Sequence, residues 1–239
     1  MPSVRENLTY KAEDHHFRSV DEYAQGKYDI TTRWLRRSVR PGQLLLNVGC
    51  GGGEYNVTAR QLGLRVIACE PESEAFAVAR AAAPEGVDVR SCGLLDLESP
   101  PADYLVMHDV LEHIEDDAAA VARVSTLLVP GGTAIISVPA YQWLFGKHDV
   151  ELGHYRRYTR RNLRALFTRD FEIEATRYYG ATLIPIALWF SRITKQPYPV
   201  ATAGKGLARQ AMRWACQLEA RLPMPAGTSV LLRARKVRP

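Results

Sequence analysis

The chain has 239 residues, of which 46% are hydrophobic and 24% are charged, and its formal net charge is +5. This balance fits one globular domain with a large core and excludes a disordered or collagen-like chain. The longest apolar stretch, residues 181–190, is too short to span a bilayer, and charges interrupt the first twenty residues where a signal peptide would be apolar.

The four cysteines, at positions 50, 69, 92 and 216, form no C-x-x-C pair. This spacing predicts reduced thiols rather than a disulfide framework or a zinc site, and it favours a cytoplasmic location. The net positive charge is mild. It gives no strong signal for a nucleic-acid partner, because no recognisable RNA-binding module accompanies it.

Residues 1–40 are predicted to form a helical N-terminal extension. Apolar side chains from Tyr23 to Val39 recur at roughly helical spacing, and Pro41 and Gly42 end the segment.

From residue 43 onward, strand signals alternate with helix signals. Apolar runs predict strands at 43–48, 65–69, 87–91, 103–108 and 133–138. Helices are predicted at 54–62, 74–83 and 117–128, the second with Ser73 as its N-cap. Such alternation indicates parallel strands joined by right-handed helical crossovers, which is an α/β fold with a doubly wound sheet.

The turn after the first predicted strand is the most informative feature. Residues 49–53 contain four glycines in five positions, and Glu70 follows at the end of the second strand. Glycines let a backbone approach a nucleoside closely, and an acid at this spacing accepts hydrogen bonds from ribose hydroxyls. The third position of a dinucleotide fingerprint is Glu54 here, and its carboxylate would repel a pyrophosphate. The pattern therefore favours a positively charged cofactor without phosphates.

Three motifs in order resemble one known family. Residues 47–53, N-V-G-C-G-G-G, resemble the first motif of class I S-adenosylmethionine-dependent methyltransferases, usually D-x-G-C-G-x-G, with Asn47 at the usual aspartate position. Residues 106–114 resemble the fourth-strand motif, and residues 130–138 resemble the loop and fifth strand. The resemblance implies a Rossmann-like, doubly wound, mostly parallel seven-stranded sheet with an antiparallel last strand. It also implies S-adenosylmethionine as the cofactor and an N-terminal extension that folds over it as a lid, here with His15, His16 and Phe17. The alternative for this extension is simple packing against the edge of the sheet.

The resemblance implies a set of cofactor contacts on the loops that follow the strands. Glu70 is expected to bind the ribose, although a helix-dipole role is an alternative. Asp96 is equally consistent with an adenine contact and with a solvated turn, because Gly93 stands where the family often has its adenine-binding aspartate. Asp109 is more consistent with the N-cap of a short helix at 110–113. The full expected set is Asn47, Gly49, Cys50, Gly51, Gly53, Glu70, Pro71, Leu94, Leu95, Asp96, His108 and Asp109.

After residue 139, the regular alternation of strand and helix signals ends. Residues 140–158 are predicted to form a long functional loop, followed by a helix at 160–168 with Thr159 as N-cap and a strand at 171–178. Residues 181–222 are predicted to form a C-terminal helical insertion, broken around Pro197 and Pro199. The last strand is predicted at 229–236. We expect a single domain, 1–239, with a cofactor-binding half at 41–139 and a substrate-side half at 140–239.

Candidate catalytic and substrate-binding residues fall in the long loop, in the pattern H-D-x4-H-Y-R-R-Y. Methyl transfer to a hydroxyl needs a base, and His154 or His148 is the leading candidate; a structural role for either histidine is the alternative. Metal binding by His148, Asp149 and His154 is a weaker alternative, since their spacing matches no zinc signature, and we expect no metal. The expected substrate contacts are Tyr141, Trp143, Tyr155, Arg156 and Arg157.

The favoured function is methyl transfer from S-adenosylmethionine to a small molecule, at the hydroxyl of a specialised metabolite or sugar. RNA methylation and a lipid-linked acceptor are alternatives, as is a non-catalytic interaction subunit, because Asn47 and the missing adenine aspartate depart from the family pattern. The apolar stretch 181–190 is open to three interpretations: a wall of the acceptor pocket, a homodimer contact or a peripheral membrane contact.

Overall fold

A computed structural model describes residues 22–195 and 207–237. The seven described strands form one sheet in the order β3-β2-β1-β4-β5-β7-β6. They are β1 (Leu44–Val48), β2 (Arg65–Cys69), β3 (Val87–Arg90), β4 (Ala102–His108), β5 (Leu128–Pro139), β6 (Phe171–Tyr179) and β7 (Ser229–Lys236). The predicted seven-stranded Rossmann-like fold is confirmed.

Helices cover both faces of the sheet. They are α1 (Glu22–Leu35), α2 (Glu54–Gln61), α3 (Ser73–Ala81), α4 (Asp117–Leu127), α5 (Lys147–Glu151), α6 (Arg160–Phe167), α7 (Ile184–Leu188) and α8 (Leu207–Arg221). Short 3₁₀ turns occupy Leu111–His113, Gln142–Leu144 and Ala181–Leu183, and a π-helical turn occupies Trp189–Thr194. Across the described residues, no helix is long and apolar enough to cross a membrane.

The central strand explains why both faces are covered. All five residues of β1 are buried, and alternate side chains enter separate cores: Leu46 joins one hydrophobic cluster and Leu45 the other. Such a continuous apolar run is typical of a strand packed on both faces. β1 pairs in parallel with β2 on one side and with β4 on the other. The strand order therefore reverses between β1 and β4, and ligands bind at the carboxyl ends of strands at such a point.

The far side of the sheet is antiparallel. β7 lies between β5 and β6 and pairs antiparallel with both, as predicted for the last strand. Val230, Leu231 and Leu232 of β7 have no exposed surface. The strand is thus an interior member of the sheet.

Two local predictions are wrong and one lies outside the described residues. Ser73 is not the N-cap of α3; Glu72 caps the helix, since its side chain accepts hydrogen bonds from the backbone N–H groups of Glu74 and Ala75. The fifth strand begins at Leu128, earlier than expected, because Leu128 already pairs with Ala102. The break around Pro197 and Pro199 lies outside the described residues, as do His15, His16 and Phe17.

The predicted lid is represented by α1. Its Tyr23 ring stacks on Tyr179 at 4.9 Å, and its Arg33 donates to the carbonyl of Ala220 on α8. Its middle turns reach the carboxyl end of β4. This helix therefore packs over the edge of the sheet where a ligand is expected.

Candidate active site

The glycine turn between β1 and α2 has the left-handed backbone that its sequence predicts. Gly49, Gly51 and Gly53 have φ values of 64°, 55° and 86°, a left-handed region that side chains disfavour. A Cβ on Gly49 would also lie 2.4 Å from Cγ2 of Val110. Glycine is therefore required at position 49 both by its own backbone and by the loop after β4.

Glu70 lies under this turn. Its carboxylate is 9% exposed, and its Oε2 accepts a hydrogen bond of 2.9 Å from the backbone N–H of Gly51. Its Oε1 accepts one of 3.1 Å from Glu72. Because a carboxylate has about four acceptor positions, these contacts are compatible with further hydrogen bonds from a ribose. The carboxylate and the turn form one unit.

Three neighbours of the turn have distinct surroundings. Asn47 is 2% exposed, and its Nδ2 donates to Oδ1 of Asn56 at 2.8 Å, which ties β1 to α2. Cys50 is also buried, and burial raises the pKa of its thiol. Pro71 is exposed after β2. The cofactor contacts of Asn47, Cys50 and Pro71 stay predictions.

The loop after β3 carries the residues that were predicted to lie beside the adenine. Leu94 is 3% exposed, whereas Leu95 is 53% exposed and Asp96 is exposed as well. A Cβ added to Gly93 would meet no atom within 4 Å. There is thus open space beside this loop, on the same edge of the sheet as the glycine turn.

The carboxyl end of β4 is tied to α1. Asp109 has a left-handed φ of 55°, and its carboxylate forms an ion pair with Lys27, whose side chain is 6% exposed. Nε2 of His108 lies 2.9 Å from Oγ1 of Thr31. Burial lowers the pKa of His108 to about 3, so the ring is neutral at pH 7.

The expected capping role of Asp109 is wrong. The 3₁₀ turn Leu111–His113 is preceded by Val110 and has no side-chain cap, because the Asp109 carboxylate contacts Lys27 instead. Lys27 and Thr31 were not among the predicted site residues. No local pattern marks either residue, since each meets its partner only when α1 folds over the end of β4.

Asp149 organises the long loop before α6. Arg157 donates to both of its oxygens, from Nε at 2.7 Å and from Nη2 at 2.9 Å. The backbone N–H of Gly146 donates at 2.9 Å, and Nδ1 of His154 lies 2.8 Å away. Burial by itself would raise the pKa of Asp149, but the hydrogen bonds from His154 and Arg157 lower it to about 2. The carboxylate is therefore charged and fully engaged.

This contact fixes the orientation of His154. Because an ionised carboxylate only accepts hydrogen bonds, Nδ1 of His154 carries the proton and Nε2 carries the lone pair. Nε2 lies 4.0 Å from Oε1 of Glu112, and the His154 ring centroid is 4.6 Å from that of His113. The backbone N–H of Tyr155 also donates to the carbonyl of Glu112 at 2.8 Å. The loop after β4 and the loop before α6 therefore meet at His154.

Glu112 is an unusual residue in this cluster. Its side chain has no exposed surface, and neither carboxylate oxygen has a hydrogen-bond partner in another described residue. Burial, followed by the nearby charge of Asp109, raises the pKa of Glu112 well above its ordinary value. His148 differs from His154: burial lowers the pKa of His148 to about 4, and it is His154 whose ring nitrogen contacts Asp149 at hydrogen-bond distance.

The predicted substrate-binding residues fall into two groups. Tyr141, Trp143 and Tyr155 lie at the surface of the loop; Trp143 is 44% exposed and Tyr155 is 49% exposed. Tyr141 stacks between the rings of Trp143 and Tyr178, with centroids 5.4 and 5.0 Å apart. Tyr141 and Trp143 therefore form a stacked aromatic surface.

The two arginines of the set are engaged within the fold. Arg156 pairs with Asp117 at 2.8 Å. The Arg157 guanidinium is 5% exposed and is held by Asp149. For Arg157, whose fork is already occupied, this placement favours a structural role over the predicted substrate contact.

Comparisons with known proteins agree with this architecture. A family model described as "Methyltransferase domain" matches residues 46–136, which run from β1 into β5. An uncharacterized methyltransferase of Mycobacterium leprae is 29% identical over 159 residues, covering 64% of this chain and 58% of the relative. A ubiquinone biosynthesis O-methyltransferase of Xanthomonas campestris pv. campestris is 36% identical over 107 residues, covering 42% of this chain and 45% of the relative.

The chain thus spans less than two thirds of the length of these curated relatives. Among solved structures, phosphoethanolamine N-methyltransferase 2 of Haemonchus contortus, in complex with S-adenosyl-L-methionine, superposes with a TM-score of 0.67 at 17% identity. That match covers 100% of this chain and 61% of the other. At this identity the likeness concerns the fold.

Proposed function

We propose that the chain is a class I S-adenosylmethionine-dependent methyltransferase, in line with the family model that matches residues 46–136, and that it transfers a methyl group to a hydroxyl of a small organic molecule. The observation that carries the choice of a hydroxyl is the Asp149–His154 pair, which aims a ring lone pair at the loop after β4. A hydroxyl acceptor must lose a proton during methylation, and an oriented histidine suits that task.

The cofactor side is built from the glycine turn, Glu70 and the loop at Gly93. The turn has no cationic side chain between residues 49 and 54, Glu70 supplies a buried carboxylate and Gly93 borders open space. These features fit an adenosyl group without phosphates. S-adenosylmethionine supplies an electrophilic methyl group on a sulfonium. The residues of this chain bind the ribose through Glu70 and close the edge with α1.

The acceptor side centres on His154. Asp149 holds Nδ1–H of His154, which leaves Nε2 to serve the acceptor oxygen and stabilises the positive charge that a transferred proton would bring. The same arrangement of nucleophile, base and orienting carboxylate recurs in unrelated hydrolases. We therefore place the activation of the acceptor at His154 rather than at His148.

The surroundings favour an acceptor with an apolar body. Trp143 is exposed beside Tyr141, and Arg192 of the Trp189–Thr194 turn donates to the Trp143 carbonyl at 2.6 Å. This contact brings the helical insertion next to the aromatic surface. The insertion exposes Ile186, Leu188, Trp189 and Ile193. The relative from Xanthomonas campestris is an O-methyltransferase of ubiquinone biosynthesis, and a hydrophobic hydroxyl compound is the acceptor class that we infer.

The first test is calorimetry with S-adenosylmethionine and S-adenosylhomocysteine, followed by turnover with a panel of phenols, catechols and sugar alcohols. We expect binding of both cofactor forms and methylation of phenolic acceptors. His154→Ala should lower kcat by about 10²–10⁴-fold, the usual contribution of a positioned acid–base group. Glu151→Gln, an exposed change in α5, is the matched control.

Each outcome decides one part of the proposal. No binding of either cofactor form would favour the non-catalytic interaction subunit. Cofactor binding with turnover only on an RNA or an amine would contradict the hydroxyl acceptor. A loss of kcat in His148→Ala, with none in His154→Ala, would contradict the assignment of His154.

A further inference from the structure

Three potential ligand groups converge where the two loops meet. One ligand atom from each of Glu112, His113 and His154 lies within 4.8 Å of the other two. Two of these residues follow β4, and the third comes from the loop before α6. No sequence motif groups these three residues, and the metal alternative raised by the sequence combined His154 with His148 and Asp149.

The spacing suits ligands of one ion. Zinc–nitrogen and zinc–oxygen bonds are about 2.0–2.2 Å long, so two ligands of the same ion lie at most about 4.4 Å apart. Nε2 of His154 and Oε1 of Glu112 are 4.0 Å apart, which is too far for a hydrogen bond but within this limit. All separations in the set are within 4.8 Å, so any excess over this limit is at most about 0.4 Å, which small side-chain rotations can close.

Asp149 orients the His154 ring for binding a metal ion. Metal-binding histidines typically donate their other ring N–H to a carboxylate, which fixes the tautomer and raises the basicity of the ligating nitrogen. Nδ1 of His154 has such a partner in Asp149, and Arg157 and Gly146 hold that carboxylate in turn. The support that a metal site needs is therefore already in place.

The burial of Glu112 is a second observation that supports a cation site. Its carboxyl group is completely buried beside His154, and neither oxygen has a hydrogen-bond partner in another described residue. Burying such a group without a partner costs about 1–3 kcal/mol or more. Binding to a cation would satisfy both oxygens. His113 is exposed, so an ion can reach the cluster from solvent.

We infer that Glu112, His113 and His154 bind one divalent transition-metal ion. Two imidazoles and one carboxylate favour Zn²⁺ or Fe²⁺ over Mg²⁺ and Ca²⁺, which prefer oxygen ligands throughout. Three protein ligands also leave positions open for a further ligand. The site itself stands apart from the proposed function and is testable without turnover.

The ion's role does rest on the proposed function, and it changes how His154 serves the acceptor. In the metal-free chain, His154 accepts the hydroxyl proton directly. With the ion bound, the lone pair of His154 would hold the metal, and the metal would supply a Lewis acid that lowers the pKa of an acceptor hydroxyl in an open position. The hydroxyl proton would pass to solvent water, and the oxygen–carbon bond would form as the sulfonium–carbon bond breaks, which yields the methyl ether and S-adenosylhomocysteine.

The test uses the untagged chain, dialysed against a chelator and titrated with Zn²⁺ by calorimetry, with Co²⁺ absorption as a spectroscopic report of coordination. We expect one equivalent of Zn²⁺ to bind. His113→Ala, an exposed and structurally mild change, should weaken binding by at least about tenfold, the lower end of what even an outer partner contributes. Glu112→Gln and His154→Ala should do the same and abolish the Co²⁺ spectrum.

Two controls separate this site from other histidines. His148→Ala and the double variant His15→Ala, His16→Ala should keep the affinity of the parent chain. The inference is overturned if no stoichiometric Zn²⁺ binds, or if binding survives in Glu112→Gln and His154→Ala. Titration of the same sample with S-adenosylhomocysteine distinguishes the two proposals. If that ligand binds and Zn²⁺ does not, only the metal site fails; if it does not bind, the proposed function fails.

Discussion

At the scale of single residues, Asp149 differs from Glu151, the other acid of α5, in the contacts that it makes. It receives two hydrogen bonds from Arg157, one from Gly146 and one from His154. Glu151, two residues away, forms only an exposed pair with Lys147 at 3.7 Å. The two acids therefore contribute differently to stability, because Asp149 is buried and Glu151 is solvated.

Asp149→Asn should lower the free energy of unfolding by about 3–5 kcal/mol at pH 7, because it leaves Arg157 buried without its charged partner. Chemical denaturation of the metal-free chain measures this change. Glu151→Gln is the matched control and should shift stability by at most about 0.5 kcal/mol. Equal effects of the two variants would contradict the central position of Asp149.

Glu70 is the residue on which the cofactor assignment depends most. Glu70→Ala should weaken S-adenosylhomocysteine binding by about 1–3 kcal/mol, the value of a hydrogen bond to a charged group, or roughly 5–150-fold in Kd. Isothermal calorimetry measures it. Glu72→Ala is the comparison, since Glu72 caps α3 and should lower stability by about 1 kcal/mol with little change in affinity. Unchanged affinity in Glu70→Ala would argue against ribose binding.

At the scale of elements, α1 is held to the sheet through groups whose protonation matters. His108 lies edge-on to the rings of Tyr28 and Tyr55, at 5.0 and 5.1 Å, and contacts Thr31 of α1. A charged imidazolium in this apolar setting is unfavourable, which is why the pKa of His108 is lowered to about 3. The docking of α1 is thus coupled to a neutral His108.

This coupling predicts a pH dependence with a definite sign. An unfolded histidine binds its proton near pH 6.5, whereas the folded His108 does so near pH 3. The unfolded state therefore holds more protons between these values, and stability falls as pH decreases from about 6.5. Denaturation at pH 7 and pH 4 should show a loss of about 2–3 kcal/mol more in the parent chain than in His108→Gln. Parallel losses in both chains would contradict this assignment.

The regular elements were predictable because local signals and burial agree. The run at β1 is apolar throughout, and the strand is buried on both faces; the glycines after it have the left-handed backbone that only glycine adopts easily. Thr159 was predicted as the N-cap of α6, and its side chain does accept from Asn162. In these cases a few adjacent residues determine the structure.

The parts of the site that escaped prediction depend on distant residues. Asp109 resembled a helix cap, but Lys27, 82 positions earlier, takes its carboxylate. Arg157 was expected to contact the substrate, yet its buried guanidinium is held by Asp149. Glu112 approaches His154 because the loop after β4 meets the loop before α6. The spacing of these residues along the chain does not predict that contact. Tertiary contacts decided each of these positions.

At the scale of the whole molecule, the sheet depends on the strand that comes latest among the described residues. β7 pairs with β5 along Thr133–Pro139 and with β6 along Phe171–Tyr179. Its side chains also contribute to two of the hydrophobic clusters. Removal of this strand would leave β6 with no neighbour in the sheet.

A chain that ends at Thr228 should therefore lack a cooperative unfolding transition. It loses Val230, Leu231 and Leu232, each fully buried and each worth about 1.5–3 kcal/mol of burial, together with both hydrogen-bond ladders. Such a loss is comparable to the about 5–15 kcal/mol stability of a typical domain. Thermal denaturation followed by near-ultraviolet circular dichroism tests this. Val237→Ser, at a half-exposed position just beyond β7, should change stability by at most about 0.5 kcal/mol. A cooperative melt of the shortened chain would contradict the prediction.

The position of β7 also has a consequence for synthesis in the cell. While the ribosome is still adding residues 229–236, the nascent chain already presents β5 and β6 with unpaired backbone edges, and such edges recruit strands from other chains. Translation that stalls or terminates before this point would release a product prone to aggregate. Chaperone protection should therefore matter most until residues 229–236 have left the ribosome and paired with β5 and β6.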